Sequence, residues 1–140
     1  MSRRPVPPSG SPPPVTATLP DGVGLDLRLL AGEISERHLR RHPEDVERYG
    51  ELARDWCIHD NQHLLNWAAL DAEGALSFPE QLAWLANVLG SRGYPLPHLA
   101  DDLETAAQTA RELVHSAHAE RLAETLEAGA AFVRTLSSPA

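Results

Sequence analysis

The stretch PEDVERYGELARDWCIHDNQHLLNWAALD, residues 43–71, is the longest uninterrupted helical pattern in the chain, and the other predicted helices are arranged around it. Its apolar residues recur at spacings of three and four, which is typical of a helix with one face in a core. Asp60 falls on the same face. We therefore predict one long helix over residues 44–71, whose apolar stripe consists of Val46, Tyr49, Ala53, Trp56, Cys57, Leu64, Trp67 and Ala68.

Further helices are indicated on both sides of this stretch. A short helix is predicted at residues 31–41. Ser77 and Glu80 have the spacing of a capping box and open a helix that ends at Gly90 to Gly93. Two more patterns follow, the first beginning at Pro97. We therefore predict an all-α fold, a four- to five-helix bundle, with a core formed by Trp56, Leu64, Trp67, Leu82, Leu85, Leu89, Leu103, Leu113, Leu126 and Val133.

The two ends of the chain differ in composition. Residues 1–20 hold seven of the twelve prolines and little apolar surface, so we predict a disordered Pro-rich tail over residues 1–24 and one bundle domain over residues 25–137. No apolar run approaches the ~20 residues of a membrane span, and the N-terminus lacks the hydrophobic segment of a secretory signal. The single cysteine, Cys57, cannot form a disulfide within the chain, which agrees with a reducing compartment. We therefore expect a cytoplasmic protein that does not enter the membrane.

The charge balance restricts the class of partner. The chain has 12 basic residues against 20 acidic ones, and its formal net charge is -8. A nucleic-acid-binding protein needs a basic face to neutralise phosphates, so we expect no nucleic acid. The composition, with arginine throughout and no lysine, is bacterial in style. An acidic surface of this kind favours another protein as the partner.

Metal-ligating residue types cluster on the long helix. His59, Asp60 and His63 lie within one turn of each other, so pairs of them are placed to converge on one ion. Glu112 and His115 repeat the carboxylate-x-x-His spacing on a later helix, as in the di-metal sites of helical bundles. Those sites also require an inward-facing glutamate from each of two further helices. A metal site at these five residues is therefore one hypothesis, and a di-metal oxygen-activating enzyme is its extension.

The aromatic and thiol groups of the same helix allow other interpretations. A buried imidazole beside Trp56 and Trp67 would suit a tetrapyrrole with an axial ligand. Cys57 is either a nucleophile with a neighbouring histidine as its base or a small buried hydrophobe. Asp60 is either a ligand or a buried carboxylate that accepts hydrogen bonds from a neighbouring helix or from an indole. The histidines at positions 38, 42, 98 and 118 are expected to be exposed.

Two segments carry a family resemblance. Residues 57–67, CIHDNQHLLNW, and residues 82–93, LAWLANVLGSRG, resemble the helical N-terminal module of some bacterial cobalamin-binding regulatory proteins. The pattern there reads roughly C-x-x-D-x-x-Y-H-L-x-F-L, then V-x-W-x-x-x-L-L-x-x-R-G-V-P. This chain departs from it at His63 and Leu64, which replace Tyr-His, and at Tyr94, which replaces Val. The cobalamin domain and its DxHxxG signature are missing, so the resemblance implies a stand-alone sensory or interaction module without catalytic residues.

These observations lead to three functional hypotheses. The first is a non-enzymatic regulatory or protein-interaction module, a homodimer packed through the alanine-rich last helices; no P-loop, GxGxxG or GxSxG motif indicates an enzyme. The alternative is a ligand-sensing bundle that binds a tetrapyrrole or a metal between the long helix and the helix of Glu112 and His115. The second alternative is the di-metal oxygen-activating enzyme.

Overall fold

The helical prediction is confirmed in its coarse form. The computed structural model describes residues 12–136, which form six helices and one small two-stranded sheet, so the predicted count of four to five helices is too low. None of these helices is long and apolar enough to cross a membrane. In chain order the elements are β1 (Thr16–Thr18), β2 (Gly24–Asp26), α1 (Leu27–Arg41), α2 (Pro43–Tyr49), α3 (Leu52–Ala72), α4 (Phe78–Ser91), α5 (Leu96–Leu113) and α6 (Ala119–Leu136).

The long helix of the sequence pattern is two helices. Gly50 follows α2 with a φ of 70°, a left-handed conformation that glycine adopts without steric cost, and its N–H donates to the Val46 carbonyl at 2.7 Å. The apolar spacing continues across this break, which is why the sequence pattern does not show it. The changed direction buries Asp45 and leaves Val46 43% exposed, so the prediction of Val46 as a core-facing residue is wrong.

The first helix begins earlier than predicted. It starts at Leu27, and Asp26 caps it by accepting from the Leu29 N–H at 3.0 Å. The three residues directly before it form β2, which pairs antiparallel with β1. Both strands and the buried side chain of Leu19 lie within or next to the segment predicted as a tail, residues 1–24. Residues 1–11 are outside the described part of the chain.

The second half of the chain follows its sequence signals closely. Ser77 caps α4 by accepting from the Glu80 N–H at 3.4 Å, as predicted. Helices α5 and α6 pack against each other along their lengths, with a short non-helical connection between them. Small side chains permit this close approach. The alanines buried on these two helices are Ala100, Ala106, Ala107, Ala110, Ala119, Ala123 and Ala130.

Most of the predicted core is buried, with three exceptions. Leu113 is 41% exposed because it is the last residue of α5. Trp56 and Trp67 are only partly buried. The remaining predicted residues are enclosed: Leu64, Leu82, Leu85, Leu89, Leu103, Leu126 and Val133.

One glycine is required by packing. A Cβ built on Gly129 of α6 would lie 2.7 Å from Cε2 of Phe78, which is buried in the core. We expect Gly129→Ala to lower the free energy of unfolding by about 1–3 kcal/mol through this clash. Gly32→Ala on α1 is the matched control, because a Cβ at Gly32 would have no packing neighbour within 4 Å. This substitution should raise the free energy of unfolding by about 0.5–1 kcal/mol. Urea denaturation measures both; equal stabilisation by the two substitutions would contradict the packing.

Candidate functional site

A cavity of about 310 Å³ lies between the first five helices. Helices α1, α2 and α3 form most of its wall, while the end of α4 and the start of α5 complete it. Pockets for small organic ligands occupy ~300–1,000 Å³, so this one suits a ligand at the small end of that range. Its aliphatic lining consists of Leu39, Ala53, Leu64, Leu89 and Leu99.

Three aromatic side chains form part of the wall. The ring of Tyr49 lies 6.0 Å from that of Trp56 and 5.9 Å from that of Tyr94, measured between centroids. All three line the cavity, although Tyr49 is the last residue of α2, Trp56 belongs to α3 and Tyr94 precedes α5. Aromatic faces carry partial negative charge and attract cations that approach within ~6 Å.

Asp60 also lines the cavity, and its carboxyl group is poorly compensated. Its Oδ1 is enclosed without a hydrogen-bond partner, so the expected pairing with an indole or a neighbouring helix does not occur at this atom. Burial and then the charge of Asp102 raise the pKa of Asp60 to about 8, and the charge of Arg92 opposes this only partly. At neutral pH the carboxyl group is therefore mostly protonated.

A second carboxylate, Asp45, is the centre of a hydrogen-bond network beside the cavity. Its Oδ2 accepts from the Tyr94 hydroxyl at 2.9 Å and lies 3.3 Å from His38 Nε2. Its Oδ1 lies 2.8 Å from His98 Nδ1. Burial works to raise the pKa of Asp45, but these three partners hold it below its ordinary value. Asp45 is therefore an ionised, structural carboxylate, unlike Asp60.

The third carboxylate, Asp102, lies on the buried face of α5. Its Oδ1 accepts from the Asn61 side-chain N–H at 3.0 Å and lies 3.8 Å from His38 Nδ1. Burial raises its pKa, although His38 and Asn61 act in the opposite direction. The same oxygen is 3.8 Å from the Cys57 sulfur. His38 thus lies between the carboxylates of Asp45 and Asp102.

The environment of Cys57 does not suit a nucleophile. Burial, followed by the charge of Asp102, raises the pKa of the thiol well above its ordinary value. Nucleophilic attack requires the thiolate, so this cysteine remains a protonated, small apolar group in the cavity wall. The interpretation as a buried hydrophobe is the one that the structure favours.

The predicted metal residues do not come together in the structure. His59 and His63 lie close on α3, with ring centroids 5.0 Å apart. Glu112 forms an ion pair with Arg37, and His115 is exposed beyond the end of α5. Of the five residues, only Asp60 lines the cavity.

The two tryptophans predicted to form an aromatic pocket lie in different parts of the structure. Trp56 lines the cavity. Trp67 instead packs against His63 at 5.6 Å and Trp84 at 6.5 Å between ring centroids. A tetrapyrrole held between Trp56 and Trp67 is therefore not favoured by this arrangement.

The histidines expected to be exposed are buried or partly buried instead. His38 is 1% exposed, and His42 and His98 are partly buried. Each of these three also has a partner that is distant in sequence, as the pairing of His38 with Asp102 shows, so helical spacing alone does not identify them.

Comparison with known proteins found no matching family model, no matching curated protein and no matching solved structure.

Proposed function

We propose that this chain is a non-enzymatic, ligand-sensing helical bundle that binds a small organic amine in the cavity among its first five helices. The observation that supports it most is Asp60, a cavity-lining carboxyl group with an unpartnered oxygen and a pKa of about 8. A buried polar group without a partner costs free energy. A protonated amine would supply both the missing donor and the missing positive charge.

The rest of the cavity is consistent with an amine that carries an apolar body. Tyr49, Trp56 and Tyr94 offer aromatic faces, which attract organic cations. The aliphatic side chains around them suit a hydrocarbon portion. The buried carboxylate of Asp102 adds negative charge to the cavity wall. The one arginine of the lining, Arg92, caps the end of α4 and is exposed.

This proposal takes the ligand-sensing alternative of the sequence hypotheses and replaces its ligand. A tetrapyrrole is larger than a cavity of about 310 Å³. The protein-interaction hypothesis has weaker support than the ligand-sensing one, because the exposed apolar side chains are isolated, as is normal on monomeric proteins. They are spread over five helices and the residue before β1: Val15, Leu29, Val46, Trp84, Leu113 and Leu136. The protein partner and the homodimer stay predictions.

Binding of matched probes tests the proposal. We expect 2-phenylethylamine to bind at pH 7 with a dissociation constant on the order of 100 µM, a reasonable affinity for so small a ligand. The neutral analogue 2-phenylethanol has the same size but lacks the ammonium group, so it should bind at least about tenfold more weakly. Isothermal titration calorimetry measures both, and phenylalanine shows whether a carboxylate near Arg92 adds affinity.

Variants of the cavity provide the control. Asp60→Asn retains the shape of the side chain and should abolish the preference for the amine over the alcohol. Glu124→Gln removes a carboxylate from an exposed position on α6, far along the chain from the cavity lining, and should leave the preference unchanged. Equal binding of amine and alcohol by the unmodified protein, or an amine preference that survives in Asp60→Asn, would refute the proposed site.

A further inference from the structure

A second group of residues, outside the cavity lining, has the geometry of a metal site. His42 Nδ1 lies 2.7 Å from Glu44 Oε1, and His98 Nε2 lies 3.7 Å from the same oxygen. Within residues 12–136 this is the one group of three such side chains whose ligand atoms all lie within 4.8 Å of one another. From these residues we propose a site for a divalent transition metal, with zinc as the preferred ion.

The distances are close to those that zinc requires. Zinc binds nitrogen and oxygen at about 2.0–2.2 Å in a tetrahedron, which separates the ligand atoms by roughly 3.3 Å. The two distances to Glu44 lie on either side of this value, so small rotations of the side chains would complete the geometry. Two imidazoles and one carboxylate also leave a fourth position for water or another ligand.

The second nitrogen of each imidazole supports the assignment. His42 Nε2 lies 2.8 Å from Asp101 Oδ2, and His98 Nδ1 lies 2.8 Å from Asp45 Oδ1. Metal-bound histidines usually donate their other N–H to a carboxylate, which fixes the tautomer and directs the free nitrogen to the metal. Both histidines have this arrangement, and the nitrogens left over are the two that face Glu44.

The supporting carboxylates are themselves held in place. Asp101 accepts from Arg134 at 2.7 Å and pairs with Arg41 at 3.2 Å. The two imidazole rings stack with their centroids 4.0 Å apart, which aligns them before any metal binds. The ligand-bearing segments are the link between α1 and α2, the start of α2 and the start of α5, so a bound ion would join them.

The accessibility of the three side chains permits an ion to enter. The side chains of His42 and His98 are 13% and 17% exposed, and that of Glu44 is 53% exposed. Imidazole ligands favour zinc, copper or nickel over magnesium and calcium, which prefer oxygen alone. None of the three proposed ligands lines the cavity, although Asp45, which holds His98, does.

Titration of the untagged chain with zinc, and with cobalt as a spectroscopic substitute, tests the assignment. We expect stoichiometric binding at micromolar metal and, with cobalt, the visible absorption bands of a tetrahedral ion. Glu44→Gln changes an exposed side chain and should weaken zinc binding by at least about tenfold, and His98→Ala by more. Asp101→Asn should weaken it by roughly tenfold through the supporting hydrogen bond.

His115→Ala is the matched control, since it removes an exposed histidine from the connection after α5 and should leave zinc affinity unchanged. Circular dichroism verifies that each variant is folded. No stoichiometric zinc binding by the unmodified chain at about 100 µM metal would overturn the site, because three protein ligands supply far higher affinity. So would binding that His115→Ala reduces while Glu44→Gln and His98→Ala leave it intact.

Discussion

Replacing Asp60 by Asn is expected to stabilise the protein by about 2–4 kcal/mol near pH 7 in the absence of ligand. The carboxyl group of Asp60 has a pKa of about 8 in the folded protein because of burial and the charge of Asp102. Folding of the protein at neutral pH therefore requires this carboxyl group to take up a proton. Asparagine needs none and has the same shape. Urea denaturation of the two proteins gives the difference directly.

The pH dependence of that difference follows from the direction of the shift. The folded pKa of Asp60 lies above its unfolded value of about 3.9, so the folded state binds the proton more tightly. Its contribution to stability is fully present below about pH 4 and is lost as the pH rises towards 8. The gain in Asp60→Asn should therefore be near zero at about pH 4 and grow steadily up to about pH 8.

Glu124→Gln serves as the control for this experiment, because the same change at an exposed carboxylate should alter stability by no more than ~0.5 kcal/mol at any of these pH values. Titrating groups that do not interact with Asp60 contribute equally to the unmodified protein and to Asp60→Asn, so they cancel in the difference. A destabilised Asp60→Asn near pH 7 would mean that the carboxylate is ionised and well paired, contrary to the structure.

Replacing His38 by Leu is expected to lower the free energy of unfolding by about 3–5 kcal/mol. The imidazole is enclosed between Asp45 at 3.3 Å and Asp102 at 3.8 Å. Burial lowers the pKa of His38, but these carboxylates outweigh it and the net shift is upward. Leucine fills most of the volume but leaves two buried carboxylates without the imidazole that lies between them. Thermal and urea denaturation both measure this loss.

The double variant His38→Leu with Asp102→Asn separates charge from packing. Removing one of the uncompensated carboxylates should restore about 1–2 kcal/mol relative to His38→Leu alone. A loss caused only by altered packing would not be restored. A loss below about 1 kcal/mol in His38→Leu would contradict the role of His38 as the shared partner of Asp45 and Asp102.

The helices could be predicted largely from local signals. Ser77 and the apolar spacing after it identify α4, because a cap and a helical period depend on residues close together in sequence. Gly50 shows the limit of this reasoning. Glycine occurs inside helices as well as at their ends, so the sequence around Gly50 does not show whether the helix continues. Its positive φ, which ends α2, is set by the packing of the folded chain. The predicted long helix was wrong for that reason.

The site could be predicted only in part. Asp60 was recognised because it lies on the apolar face of its own helix, which is a local property. Asp102 has a comparable signal, since it is one turn from the core residue Leu99, but its environment depends on His38 of α1. The groups around Asp45 come from segments up to 53 residues away. Contacts of that kind are fixed by tertiary packing.

Proton release on amine binding shows most directly whether the amine pairs with the carboxyl group of Asp60. Isothermal titration calorimetry of 2-phenylethylamine at about pH 7, in two buffers with different ionisation enthalpies, counts the protons exchanged. Asp60 is mostly protonated before binding and must ionise to pair with the ammonium group. We predict release of about one proton per bound amine, and its disappearance in Asp60→Asn. Amine binding with no proton release would mean that the amine does not pair with Asp60, and the proposed site would be wrong.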